Sequence, residues 1–229
     1  MSDAPIRRTG SDYIEVGATL LAAAAEGQVG LAATIVSPPA LVLGSAQSEA
    51  DAATESDVVR RGTGGGAVFC DHGVLLIDLA VPAGHALAPE DVTEAYRPLG
   101  EAVQQALAGL GVDCRTVGVD EARAMDDARK AAARRACWAG LSPYEIVLGD
   151  GRKLVGLAQR RRRGAVLHQV AIPVSTPPAE VLNHLVDGAL LEPWLRETAM
   201  VASAAGCGSA TPAGVWDVVC APLAAHLHT

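Results

Sequence analysis

Residues 60–79, RRGTGGGAVFCDHGVLLIDL, open on two arginines and a Gly-Thr-Gly-Gly-Gly run. They then pass straight into two apolar segments, AVFC and VLLIDLAV, divided by Asp71-His72-Gly73. Glycines allow a backbone to turn tightly or to approach a ligand where a Cβ would collide. The free N–H groups of such a loop suit an anion, and Arg60 and Arg61 add fork-shaped donors for phosphate or carboxylate. The stretch reads as a loop that wraps a negatively charged small molecule, braced by a β-hairpin. An NTPase phosphate loop requires GxxxxGK[ST] and a following helix, and here a strand follows without a lysine. A dinucleotide loop requires a strand before GxGxxG, and Asp57-Val58-Val59 is a poor strand. A ligand-free hairpin connection is the plain alternative, at the entropic cost of three consecutive glycines.

Working upstream, residues 11–27 read as an amphipathic helix with Ile14, Ala18, Leu21 and Ala25 on one face. Residues 33–37 and 41–43 read as strands broken by Pro38-Pro39, and residues 48–59 as loop with a helical turn. Downstream, Pro89-Glu90-Asp91 starts a helix that runs to Leu110, with Val92, Tyr96, Leu99, Val103 and Leu107 buried. Residues 112–117 form a strand. Residues 120–135, rich in alanine and charge, form a surface helix or mobile loop. Residues 144–148, the Gly149-Asp150-Gly151 turn, residues 153–158 and residues 165–174 predict a three-stranded meander centred on Lys153, Gly156 and Gln159. Three helices follow, over 179–187, 193–202 and 211–226. The pattern predicts an α+β or mixed α/β domain around an antiparallel sheet flanked by helices. One domain spans 1–229, with a core over 30–175 and a helical segment over 178–228.

The chain has 229 residues, half of them apolar, and a net charge of −8. That balance argues against a nucleic-acid partner bound through a basic face. No apolar run approaches a membrane span. Arg7-Arg8 precedes an Ala/Leu stretch, but Asp12 and Glu15 favour an amphipathic helix over an export signal. Five cysteines without a CxxC pair fit neither a disulfide framework nor a zinc site, no metal is expected, and a cytoplasmic location fits. Lys130 and Lys153 are the only lysines beside 16 arginines. A lysine in this chain is therefore a candidate for a specific amine.

The sequence resembles the lipoate-protein ligase and octanoyltransferase family. Residues 60–69 look like its RRxTGGGAVF loop, residues 153–159 (KLVGLAQ) like its KxxGxAQ motif, and Leu41-Val42-Leu43-Gly44 with Gln47 like its upstream strand and turn. The resemblance spans roughly residues 35–174. It implies a sheet of the class II aminoacyl-tRNA synthetase and biotin synthetase type. It also implies an enzyme attaching octanoyl or lipoyl groups to the lysine of acidic lipoyl domains, those of 2-oxoacid dehydrogenase E2 or the glycine cleavage H protein. The site so implied comprises Arg60, Arg61, Thr63, Gly64, Gly65, Gly66, Ala67, Val68, Gly156, Ala158 and Gln159 around the acyl chain or acyl-AMP. Lys153 would face the acyl carbonyl and stabilise the developing oxyanion.

A second block, Cys137-Trp138, Tyr144-Glu145 and Gly151-Arg152-Lys153, resembles cysteine-dependent octanoyltransferases and lipoyl amidotransferases, with Cys137 as thioester nucleophile and the Lys153 ammonium favouring its thiolate. Two chemistries stay open. Ligation would use ATP, magnesium and free lipoate or octanoate. Transfer from acyl carrier protein would use neither cofactor. A non-catalytic acyl or acyl-AMP binder is a further alternative. The family's HDxGN reads here as Cys70-Asp71-His72-Gly73-Val74, and its HG[ST] as His168-Gln169-Val170, which pulls towards transfer. The arginine run at 160–163 would either steer an acidic partner or form a solvated loop. The accessory domain of the long ligases has no counterpart, so the chain either transfers alone or needs a partner protein.

Overall fold

The computed structural model describes residues 4–53, 57–162, 164–175, 183–195, 198, 200–204 and 210–228. Ten strands run in chain order: β1 (Ile6–Arg8), β2 (Gly30–Val36), β3 (Ala40–Leu43), β4 (Asp57–Arg60), β5 (Val68–Cys70), β6 (Val74–Pro82), β7 (Cys114–Thr116), β8 (Ile146–Leu148), β9 (Lys153–Arg162) and β10 (Ala165–Pro173). The α-helices are α1 (Gly10–Ala25), α2 (Arg97–Gly109), α3 (Val119–Arg123), α4 (Asp127–Arg135), α5 (Glu192–Leu195), α6 (Val201–Ala204) and α7 (Pro212–Ala225). Seven strands form one sheet in the order β1-β2-β6-β10-β9-β8-β7, and β4-β3-β5 form a second. All neighbouring pairs are antiparallel except β1 with β2 and β3 with β4.

The unbroken apolar run of β6 follows from its position. Leu75, Ile77, Leu79 and Val81 belong to the core that includes Leu99, Val103 and Leu107 of α2 and Val215, Trp216, Val219 and Leu223 of α7. The alternate residues turn the other way. Ala80 packs with Leu21 and Ala24 of α1, and Leu76 with Tyr13. A strand covered on both faces loses its period-two polarity. Truncating one such leucine to alanine costs about 2–5 kcal/mol. The one acid of the run, Asp78, lies on the α1 face and is fully buried.

Helix α1 begins at Gly10, one residue before the expected start. Thr9 accepts from Asp12 N at 3.1 Å, and the Asp12 carboxylate accepts from Thr9 N at 3.4 Å, closing a capping box. Asp57-Val58-Val59, read as a poor strand, is β4. Its parallel pairing with β3 supplies what local propensity did not. The expected helix over 120–135 is two helices, α3 and α4. The junction is set by Asp126, whose side chain caps α4 by accepting from Arg129 N. The expected helix from Pro89 starts at Arg97. Asp91 instead accepts from Thr93 N and Glu94 N in a turn ahead of it. Residues 193–202 divide between α5 and α6, and most of 179–187 lies outside the described residues. The meander holds, with β9 between β8 and β10. The arginine run continues β9 as far as Arg162 rather than forming a loop. Among the described residues, no helix is long and apolar enough to cross a membrane.

Candidate active site

The glycine loop joins β4 to β5, and β3 pairs with both. Its residues pack closely on their neighbours. A Cβ on Gly44, at the end of β3, would collide with the carbonyl of Gly65. A Cβ on Gly66 would lie 2.5 Å from Ala133 O and 2.6 Å from Ala136 N. Gly65 itself has φ +93°. The Arg61 side chain folds beneath the loop, and one guanidinium nitrogen donates to Gly64 O at 3.0 Å and Gly66 O at 2.9 Å. Thr63 donates to Gln169 Oε1 at 2.7 Å, tying the loop to β10.

The turn carrying Cys137 follows α4 and is clipped to the same loop. Ala67 N donates to Arg135 O at 2.9 Å, and Cys137 N donates to Ala67 O at 3.0 Å. Gln47 bridges from the end of β3 by donating to Arg135 O and accepting from Gly44 N. Lys153, at the start of β9, reaches this turn from below with its side chain 2% exposed. Its Nζ donates to Cys137 O at 3.1 Å and Gly140 O at 3.0 Å, and pairs with Glu145 Oε2 at 2.8 Å. It also lies 5.4 Å from the ring centre of Trp138. Glu145 accepts from Ser142 N at 2.7 Å and from Leu157 N at 3.0 Å. The preceding residue, Tyr144, has φ +65°. Such a backbone costs roughly 1–3 kcal/mol in a non-glycine residue. It is held by Tyr144 N donating to Val117 O at 2.9 Å and by the Tyr144 hydroxyl donating to Glu94 at 2.8 Å.

Two cavities meet at Cys137. An open cleft of ≈ 420 Å³ is lined by Gly64, Gly65, Gly66, Arg134, Glu145, Lys153, Ala158 and Gln159 among others. A narrow slot of ≈ 30 Å³ runs inward between the two sheets, lined by Tyr13, Val42, Val68, Cys70, Leu76, Gly156 and Val170 with Arg61 and Gln169. Cys137, Leu157 and Ala158 line both. The slot is far smaller than the cleft. Its apolar wall suits a hydrocarbon and its mouth opens on a thiol. Below the slot, Gln169 Nε2 donates to the Tyr13 hydroxyl at 2.9 Å and to Asp78 Oδ1 at 2.6 Å. Burial pushes the Asp78 carboxyl up to about 7, against the lowering effect of the Gln169 bond.

The residues expected from sequence divide accordingly. Cys137, Lys153, Gly64, Gly65, Gly66, Gly156, Ala158, Gln159, Val68 and Arg61 line the cleft, the slot or both. Arg60 is exposed at the end of β4 and lines neither. Thr63 acts through Gln169, and Ala67 faces a separate apolar cavity with Leu41, Phe69 and Ala136. Cys70 is a buried strand residue whose thiol burial pushes up to about 12, which leaves it unsuited to nucleophilic work. His168 is buried, its Nε2 lies 2.8 Å from Leu87 O, and desolvation pushes it down to about 4. Tyr13 entered the site without being foreseen there, and Glu145, Trp138 and Gln169, named only as letters of motifs, entered it with contacts that the motifs did not give. An acid inside an apolar strand-like run was the available signal for Glu145, as it was for Asp78.

The lipoyl protein ligase A/B catalytic domain model matches residues 18–199. The chain belongs to this family. Octanoyltransferase LipM of Lysinibacillus sphaericus is 36% identical over 127 residues, 55% of this chain and 44% of that protein. LipM of Kyrpidia tusciae is 36% identical over 148 residues, 62% of this chain and 53% of that protein. The chain thus spans about half the length of these relatives. Among solved structures, a lipoate-protein ligase A bound with ATP is similar at a TM-score of 0.71 and 19% identity, covering 98% of this chain and 84% of that one. A bi-partite lipoate protein ligase from Thermoplasma acidophilum reaches 0.70 at 20% identity, covering 98% and 82%. These likenesses carry the fold, and the mixed, largely antiparallel class read from the sequence agrees with them.

Proposed function

We propose that this chain transfers an octanoyl group through a thioester on Cys137. The observation that carries the reading is the position of Cys137, which lines both a small, largely apolar slot and a broad cleft. The similarity to LipM octanoyltransferases supports it. In the first half-reaction the Cys137 sulfur attacks the acyl carbonyl of a carrier-protein thioester. The new C–S bond forms, the carrier's C–S bond breaks, and the proton of Cys137 leaves with the carrier thiol. In the second, the lysine amine of a lipoyl domain attacks the Cys137 thioester. An amide forms, the cysteine departs as thiol, and one amine proton goes with it. The tail would lie along the slot, whose side chains must part to admit eight carbons, while the cleft admits the carrier arm and then the lysine arm.

Ligation with ATP fits the residues less well. Adenylate needs cations facing a phosphate; Arg61 donates to loop carbonyls and all three Lys153 hydrogens have internal acceptors, which leaves the exposed Arg134 as the cleft's available basic side chain among the described residues. The acceptors that fit the overall reading are acidic lipoyl domains, of the E2 or H-protein kind, and the donor is octanoyl-acyl carrier protein.

The test uses purified protein, an apo lipoyl domain and two donor mixtures, octanoyl-carrier protein or octanoate with ATP and magnesium. Octanoylation from the carrier alone, with a thioester adduct on the intact protein that is lost in Cys137→Ala, is expected. Modification from octanoate and ATP that survives Cys137→Ala overturns the thioester route.

A further inference from the structure

The Lys153 ammonium has three hydrogens, and each is engaged. Two go to the carbonyls of Cys137 and Gly140, which bracket the turn of the nucleophile, and the third to Glu145. A lysine so placed fixes the direction of that turn. It faces the cleft only if one carbonyl yields its hydrogen to the substrate. What stays constant through such an exchange is the carboxylate. Glu145 is 1% exposed, and both its oxygens are held by backbone N–H groups from two elements, Ser142 of the loop and Leu157 of β9. The left-handed backbone at Tyr144 brings the chain into Glu145, and Gly100 of α2 leaves room for it, since a Cβ there would collide with the Tyr144 carbonyl.

We propose that Glu145 is the positioning residue of this site, holding the Lys153 ammonium so that it orients the Cys137 turn and keeps one N–H transferable to the acyl carbonyl. The proposal rests on the thioester reading for its consequence in turnover, though not for its consequence in the turn. Glu145 is the charged partner of the lysine Nζ. Cys137 O and Gly140 O are the two neutral acceptors on the same nitrogen, and one of them is exchanged for the carbonyl oxygen as it becomes anionic. A neutral acceptor gives up its hydrogen more readily than a carboxylate does, because charge-assisted bonds are the stronger ones. The division of the three partners into one charged and two neutral is thus what lets the lysine both hold the turn and serve the reaction.

The experiment compares Glu145→Gln, Glu145→Asp, Lys153→Met and the double variant Lys153→Met with Glu145→Gln. Acylation of Cys137 by octanoyl-carrier protein is followed by intact mass, and backbone hydrogen exchange is measured over residues 137–142. The expected result is a fall in kcat of about 100-fold for Glu145→Gln, as for a misplaced catalytic group. KM for the donor should stay within threefold, with partial recovery in Glu145→Asp. In the Lys153→Met background Glu145→Gln should cause no further loss. Exchange over 137–142 should rise at least tenfold in Glu145→Gln, while β6 and β10 keep their protection. Additive losses in the double variant, or unchanged exchange over 137–142, overturn the proposal. If the unmodified protein accepts no octanoyl group at all, the thioester reading fails, and the exchange measurement still decides whether Glu145 orders the turn. A Glu145→Gln protein that loses protection everywhere overturns it too, because the role is then general folding.

Discussion

Arg61 and Lys153 are the two buried cations of the site, and they are bonded in opposite ways. Arg61 donates to carbonyls three and five residues further along its own loop, and its Nε is left without a hydrogen-bond partner among the described residues. Lys153 binds carbonyls 16 and 13 residues away and has a carboxylate partner that is itself fully bonded. The first arrangement shapes one loop locally. The second joins three elements and carries charge on both sides. A basic residue in a glycine-rich motif therefore need not be the anion receptor, and the residue that looks like an isolated amine can be the organiser.

The comparison is broken most directly by removing each cation in turn. Lys153→Met is expected to lower acyl transfer by about 10²–10³, the range for losing a donor aimed at a developing oxyanion. Arg61→Met should lower it by only about tenfold, mainly through KM, because it slackens one loop without removing a donor aimed at the reacting carbonyl. Steady-state kinetics on both variants decides, and equal losses in kcat would erase the distinction. Within the loop the contrast is steric. Gly66→Ala drives a Cβ into the backbone of residues 133 and 136 and should destabilise by about 1–3 kcal/mol, as overpacking does. Gly64→Ala has no described atom within 4 Å of the new Cβ and should stay within about 0.5 kcal/mol in a denaturant titration.

The smallest effect concerns Asp78, which lies at the inner end of the Thr63–Gln169 link to the loop. Its folded-state value, about 7, lies above the ordinary carboxylate value, so between pH 4 and 7 the native state binds the proton more tightly than the unfolded chain. Stability from this group is present at low pH and is lost as pH rises through about 7. Asp78→Asn should flatten the decline in Tm between pH 4 and 7. His168, held near 4, acts in the opposite sense and reduces stability below about pH 6.5, so the decline is read as a difference between variant and parent. An unchanged slope would exclude Asp78 as its source.

Much of this architecture could be read from the chain. The meander followed from the Gly149-Asp150-Gly151 turn, whose Gly151 has φ +88°, flanked by apolar runs. The loop, Lys153 and Cys137 followed from their motifs. What stayed hidden depended on distant partners. Strand β4 exists through pairing with β3, and the role of Arg61 depends on which way its side chain folds. Tyr13 enters the slot from α1, well over a hundred residues from Gln169, and spacing along a chain carries no trace of that approach. Glu145 was visible as a letter in a motif, but its partners come from its own loop and from β9, so its work could be seen only in three dimensions.

The pairing of β3 with both stems of the glycine loop has one more consequence. With β4 and β5 on either side of a shared strand, the loop's two ends are held about two strand spacings apart, roughly 10 Å. That span is set by the sheet and not by the length of the loop. A longer or shorter connection can therefore join the same two endpoints, and the walls that the sheets give the slot stay in place.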